Sequence, residues 1–123
     1  MLNEETNLQS ECFLAIGSRT DALIWRQHVG AYRSMDNPKR IIKVGTPGMS
    51  DACMIVQCTI TSAMLGKTVG IAVQPEFKTT KGKQADSQKK WEKAVSKVGA
   101  IYALIHSPSE LVGLVEKIKR GEW

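Results

Sequence analysis

Long apolar runs are missing from this sequence. Nothing approaches the roughly 18 to 20 consecutive apolar residues that a membrane-spanning helix requires, so no membrane association is expected. The opening Met1-Leu2-Asn3-Glu4-Glu5 has neither the basic nor the apolar region of a signal peptide, and a cytoplasmic protein is expected. Cysteine is sparse: Cys12, Cys53 and Cys58 contain no C-x-x-C pair, which excludes a zinc knuckle, and their odd number suits no disulfide framework. Buried free thiols are the expectation. The only histidines, His28 and His106, have no metal-ligand spacing to each other and are assigned no chemistry. A Walker loop, a dinucleotide fingerprint and a nucleophile elbow are absent, as are internal repeats and low-complexity tracts.

What is present is one domain's worth of chain. The 123 residues are enough to bury a single core but not two, so the expected organisation is a single domain over residues 1–123 with one compact sheet and a few helices. A formal net charge of +5 gives a modestly basic surface, compatible with nucleic acid, an anionic membrane or no anionic partner at all.

Hydrophobic periodicity orders the elements. Residues 3–16 place Leu8, Cys12, Ala15 and Ile16 on one helical stripe, with Asn3 or Thr6 as cap and Gly17 as stop. Ala22-Leu23-Ile24-Trp25 reads as a strand leading into a basic stretch that Gly30, Asn37 and Pro38 make irregular. Residues 40–44 read as another strand, stopped by Gly45 and Pro47. Asp51 opens an apolar run over 52–59 that suits a strand covered on both faces, and residues 62–67 supply a turn.

The return strand over 69–78 alternates. Val69, Ile71, Val73 and Phe77 point one way; Gly70, Ala72, Gln74, Glu76 and Lys78 point the other. Residues 86–98 form a helix on Trp91, Ala94, Val95 and Val98, with Gln88 one turn earlier on the same stripe. A buried strand over 100–105 and a last helix on Leu111, Leu114, Val115 and Ile118 complete the chain. Trp25 and Trp91 are expected in the core, and Trp123 exposed or packed on a partner subunit.

If the strands on either side of residue 64 pair as an antiparallel hairpin, Asp51 falls opposite Phe77, with Glu76 and Lys78 as its diagonal neighbours. Two carboxylates and an ammonium would then converge at one sheet end. Hard divalent cations take oxygen ligands, commonly one or two carboxylates with water and substrate phosphate, and they acidify a bound water so that it attacks at neutral pH. Asp51 and Glu76 supply the carboxylates, the Phe77 carbonyl a further oxygen, and Lys78 a cation for charge developing on phosphorus. On the flanking loops, Arg26, Arg33, Lys81 and Lys83 are candidates for contacts to DNA phosphates.

These motifs together resemble the VRR-NUC domain, a family of the PD-(D/E)XK nuclease superfamily. The resemblance is carried by Gln9-Ser10-Glu11-Cys12 in a first helix, by Trp25-Arg26 with Gly30, and by Gly45 with Gly48-Met49-Ser50-Asp51. It continues through Glu76-Phe77-Lys78-Thr79, Gly82-Lys83 and Gln88. It implies a restriction-endonuclease-like α/β/α core, a central mixed sheet flanked by helices, with a magnesium- or manganese-dependent site that hydrolyses DNA. Asp51 and Glu76 match the metal-binding acids, Lys78 the catalytic lysine, Glu11 the helical acid and possible extra metal ligand, and Gln88 the glutamine.

Stand-alone members of the family are often phage-encoded or bacterial and are similar to homodimeric Holliday-junction resolvases, which would place the chain in a bacterial or infected-host cytoplasm. Two departures stand out. Gln74-Pro75 replaces the usual apolar pair before Glu76, so a bulge or local edge is expected there. Ala85 stands where a Ser or Thr cap is common, with Asp86 as a substitute cap. The alternative functions are a flap or nicking nuclease using the same site, and a catalytically inactive DNA-binding module.

Overall fold

The computed structural model of the protein describes residues 4–123. Among the described residues it is a mixed α/β structure with three α-helices and three two-stranded sheets. Its contacts divide it into two compact units, Met1–Ile55 and Val56–Trp123. The cap expected at Asn3 lies outside the described residues.

In the first unit, helix α1 (Glu4–Gly17) packs on strand β1 (Ala22–Arg26). The helix face in use is not the expected one. Leu8, at 59 % exposure, and Cys12 face solvent, while Gln9, Phe13 and Ile16 are half-buried. Arg26 explains the rotation: its Nη1 donates to Gln9 Oε1 at 2.8 Å, and its guanidinium lies 4.9 Å over the Phe13 ring, tying that face of α1 to β1. β1 pairs with strand β4 (Ala52–Val56), and each strand has one buried residue, Ala22 and Ile55.

The stretch expected to be irregular instead contains strand β2 (Gly30–Arg33), paired antiparallel with β3 (Ile41–Val44), Tyr32 opposite Ile42 and Arg33 opposite Ile41. The loop between them closes on itself. Ser34 N–H donates to the Arg40 carbonyl and Arg40 N–H to the Asn37 carbonyl, both at 2.9 Å. Gly45 leaves β3 at φ +72°, where a Cβ would collide with the His28 carbonyl oxygen.

The second unit is built on a parallel pair. Strand β5 (Val73–Phe77) and strand β6 (Ile101–Ile105) run parallel in unbroken register from Val73↔Ile101 to Phe77↔Ile105, joined through helix α2 (Asp86–Lys97). Parallel neighbours need such a crossover. Helix α3 (Pro108–Lys119) follows β6, and both helices contact that strand. Val95 is completely buried, with Val98 and Ile105 nearly so.

This topology corrects the hairpin expectation. β4 takes β1 as its ladder partner and β5 takes β6, while residues 62–67 form a short 3-10 turn, Ser62–Met64, and a bend at Gly66. Both strands are also shorter than the apolar runs suggested. The free cysteines are a second correction: Cys12 and Cys58 are exposed and Cys53 is half-buried. Trp91 is half-buried rather than enclosed, and its indole N–H donates to Gln74 Oε1 at 3.1 Å.

Pro75 produces no bulge. Ile101 N–H donates to the Ala72 carbonyl and Lys78 N–H to the Ile105 carbonyl, so residues of even number on β5 turn their peptide groups toward β6. Pro75 faces the other edge, where no N–H is required by this ladder. The expected local edge is therefore present.

Candidate active site

Three of the residues singled out in the sequence meet at the C-terminal end of β5. Glu76 and Lys78 share one face by strand parity, with Glu76 Oε1 3.6 Å from Lys78 Nζ and both side chains partly buried. Gln88 on α2 reaches the same oxygen, its Nε2 donating to Glu76 Oε1 at 2.6 Å.

The amide of Gln88 is oriented by the helix start. Its Oε1 accepts the Ala85 N–H at 2.9 Å, satisfying one of the N–H groups left open at a helix N-terminus, so its amino group is the end presented to Glu76. Ala85 occupies the cap position, and Asp86 is the first helical residue rather than the substitute cap. The missing Ser or Thr cap is thus offset from the other side of the turn.

Neighbouring contacts hold the face in place. Trp91 donates to Gln74, and Gln84 Nε2 donates to Glu92 Oε1 at 3.2 Å. Sequence reasoning missed both Gln84 and Glu92. Gln74 was legible as a member of the Glu76 face, but a tryptophan on an apolar helical stripe gave no sign that its N–H would bind it.

Phe77 projects from the opposite face and is 66 % exposed. Its peptide group, of odd number, turns away from β6, which leaves its carbonyl on the open edge of β5. A cleft of about 340 Å³ opens at the same strand ends, lined by Phe77, Lys78, Ile105, His106, Ser107 and Leu111. Ligands of open parallel sheets bind beyond the carboxyl ends of the strands, and both the Glu76 cluster and this cleft have that position.

The remaining sequence-chosen residues are placed as follows. Asp51 is exposed in the turn before β4, its carbonyl accepting the Gln27 N–H at 2.9 Å. The Gln27 side chain bonds Ser50. Glu11 is exposed on α1. Both acids belong to the first compact unit, and Glu76, Lys78 and Gln88 to the second.

Arg26 is engaged with Gln9 and Phe13, and Arg33 donates to the Pro38 carbonyl at 3.0 Å. Lys81 and Lys83 are exposed in the loop between β5 and α2. Among the described residues no three His, Cys, Asp or Glu side chains form a metal-holding group. A magnesium-type site does not require three, because carbonyl, water and phosphate oxygens complete its shell.

Comparison with protein-family models, curated proteins and solved structures finds no match to this chain.

Proposed function

We propose that this protein is a metal-dependent DNA endonuclease of the VRR-NUC kind, acting on branched DNA as a homodimeric Holliday-junction resolvase. The observation that carries the reading is the Glu76–Lys78–Gln88 cluster. Residues selected by motif, one of them twelve positions away, share a single carboxylate oxygen. In this reading the local α/β elements belong to a restriction-endonuclease-like core with a central mixed sheet between helices.

The donor set fits Mg²⁺ or Mn²⁺. Glu76 contributes a hard carboxylate, with Oε1 held by Gln88, and the Phe77 carbonyl faces away from its ladder. Asp51 and Glu11 are assigned a metal-binding role by the sequence motif alone. When bound, the ion would polarise the scissile phosphate and lower the pKa of a water nucleophile.

The chain's own groups do the rest. Gln88 fixes the rotamer of Glu76, so the carboxylate does not have to be ordered when substrate arrives. The Lys78 ammonium, held beside Glu76, donates to the attacking water or to a phosphate oxygen and offsets charge that grows in the transition state. Two sites related by a two-fold axis would nick a junction symmetrically.

The test is cleavage of a four-way junction, a flap, a nicked duplex and single-stranded DNA with Mg²⁺ or Mn²⁺. Wild type should cut the junction fastest, and Asp51→Ala and Lys78→Ala should each lower the rate at least about a hundred-fold. Full activity in both variants overturns the assignment, and preference for the flap or nicked duplex replaces resolvase by flap nuclease.

A further inference from the structure

The β2–β3 hairpin is tied to its own unit by the Tyr32 ring, stacked on His28 at 6.1 Å, but most of its surface is left uncovered. All four residues of β3 are exposed, as are three of the four in β2, and Met35 in the connecting loop is 100 % exposed. A two-stranded ribbon is marginal in water unless something covers it. Apolar Tyr32, Ile41, Ile42 and Val44 add exposed surface of the kind that marks an interaction site.

Charge selects the kind of cover. Residues 30–44 hold four basic side chains, Arg33, Lys39, Arg40 and Lys43, and one acidic, Asp36, a net +3 of the chain's +5. Two copies joined through this ribbon would set like charges together, which disfavours self-pairing. A polyanion has the complementary sign.

The register spreads the cations over both sides. Arg33 and Lys43 lie on one face, with Ala31 and Ile41; Arg40, opposite Ser34, lies on the other with Tyr32 and Ile42. A B-DNA major groove, about 12 Å wide, admits a two-stranded ribbon and has phosphates along both walls.

The tip is built to hold an apolar residue outward. The Ser34–Arg40 and Asn37–Arg40 backbone bonds, and the Arg33 guanidinium on the Pro38 carbonyl, close the loop around Met35. Apolar side chains, methionine among them, serve as wedges between base steps in proteins that bind the minor groove.

We propose that the β2–β3 hairpin is a DNA-binding arm that enters a duplex groove, with Met35 wedged where the arms of a branched substrate part. The proposal rests on the nucleic-acid reading above but not on metal chemistry at Glu76.

The experiment measures binding of the full chain to a four-way junction and a linear duplex in EDTA across a salt series, by fluorescence anisotropy. The triple variant Lys39→Ala/Arg40→Ala/Lys43→Ala should bind both DNAs more weakly. Its log affinity against log salt should flatten by about 2 to 3, since each phosphate neutralised by a cation adds about 0.9 to that slope. Met35→Ala should leave duplex affinity unchanged and lower junction affinity about ten-fold, the loss of one buried methionine side chain. 2-Aminopurine at the branch should brighten with wild type and not with this variant.

Wild-type salt slope and affinity in the triple variant overturn the arm, as does wild-type protein that fails to bind DNA. Loss of self-association in the triple variant with DNA binding intact assigns the hairpin to a second copy instead. A wild type that binds through the hairpin yet cleaves nothing with Mg²⁺ or Mn²⁺ leaves the arm standing and overturns the nuclease reading.

Discussion

Gln88 joins a helix start to a strand end with one side chain: its oxygen takes the Ala85 N–H and its nitrogen binds Glu76. Removing it frees the carboxylate to turn and leaves a helix N–H open, without touching Lys78. Gln88→Ala should therefore lower kcat for junction cleavage about ten- to a hundred-fold, the usual loss for a residue that orients a ligand, with KM little changed. A variant with wild-type kcat sinks this role.

That Gln88 sits one turn before the apolar stripe of α2 was legible from spacing, because helical periodicity is local. That its amide would be oriented by capping was not. Ala85 carries no capping side chain, and only the folded turn shows the bond running back from Gln88.

Helix α3 shows an N-terminus assembled by short-range rules. Ser107 is the cap, its Oγ accepting the Glu110 N–H at 3.3 Å, and Pro108 follows with a φ already suited to a helix. Glu110 reaches back, and the His106 backbone N–H donates to its Oε2 at 2.8 Å. That bond holds the Glu110 carboxyl below its ordinary value against an opposing desolvation, with a lesser contribution from the imidazole Nδ1 at 3.3 Å.

A carboxylate with a depressed folded pKa contributes stability that is present above its unfolded value and is lost as pH falls through the folded one. Wild type should therefore melt above Glu110→Gln at pH 7, and the gap should close as pH is lowered from 5 to 3 in a calorimetric series. A gap that is constant with pH overturns the linkage.

At the same scale, α2, β6 and α3 came out of the sequence within a residue or two. β2 did not, because Gly30-Ala31-Tyr32-Arg33 has no strong strand signature and is extended only by its pairing with β3. The alternation over β5 placed Gln74, Glu76 and Lys78 correctly on one face. Parity does not say which face a helix will cover: α2 lies over the polar one, and Phe77 is left exposed.

For the whole molecule, large apolar side chains are exposed in both units, including Leu14 at 77 % and Leu65 at 91 %. The homodimer reading expects some of these to be covered between copies. Sedimentation equilibrium at micromolar concentration should return twice the 13.6 kDa chain mass, and a single species at the chain mass overturns it.

The sequence by itself determined the mixed α/β content, the Glu76–Lys78 face, the position of Gln88 and, among the described residues, the absence of any helix long and apolar enough to cross a membrane. Each of these follows from residues a few positions apart, whose geometry is set by a strand period of 2 or a helical period of 3.6. Only the tertiary structure decided that β5 runs parallel to β6 instead of returning on β4, that the stretch around Tyr32 is a ribbon, and that Pro75 costs the ladder nothing. Strand partnering is a competition among distant segments, decided by which faces are buried and which connections can close.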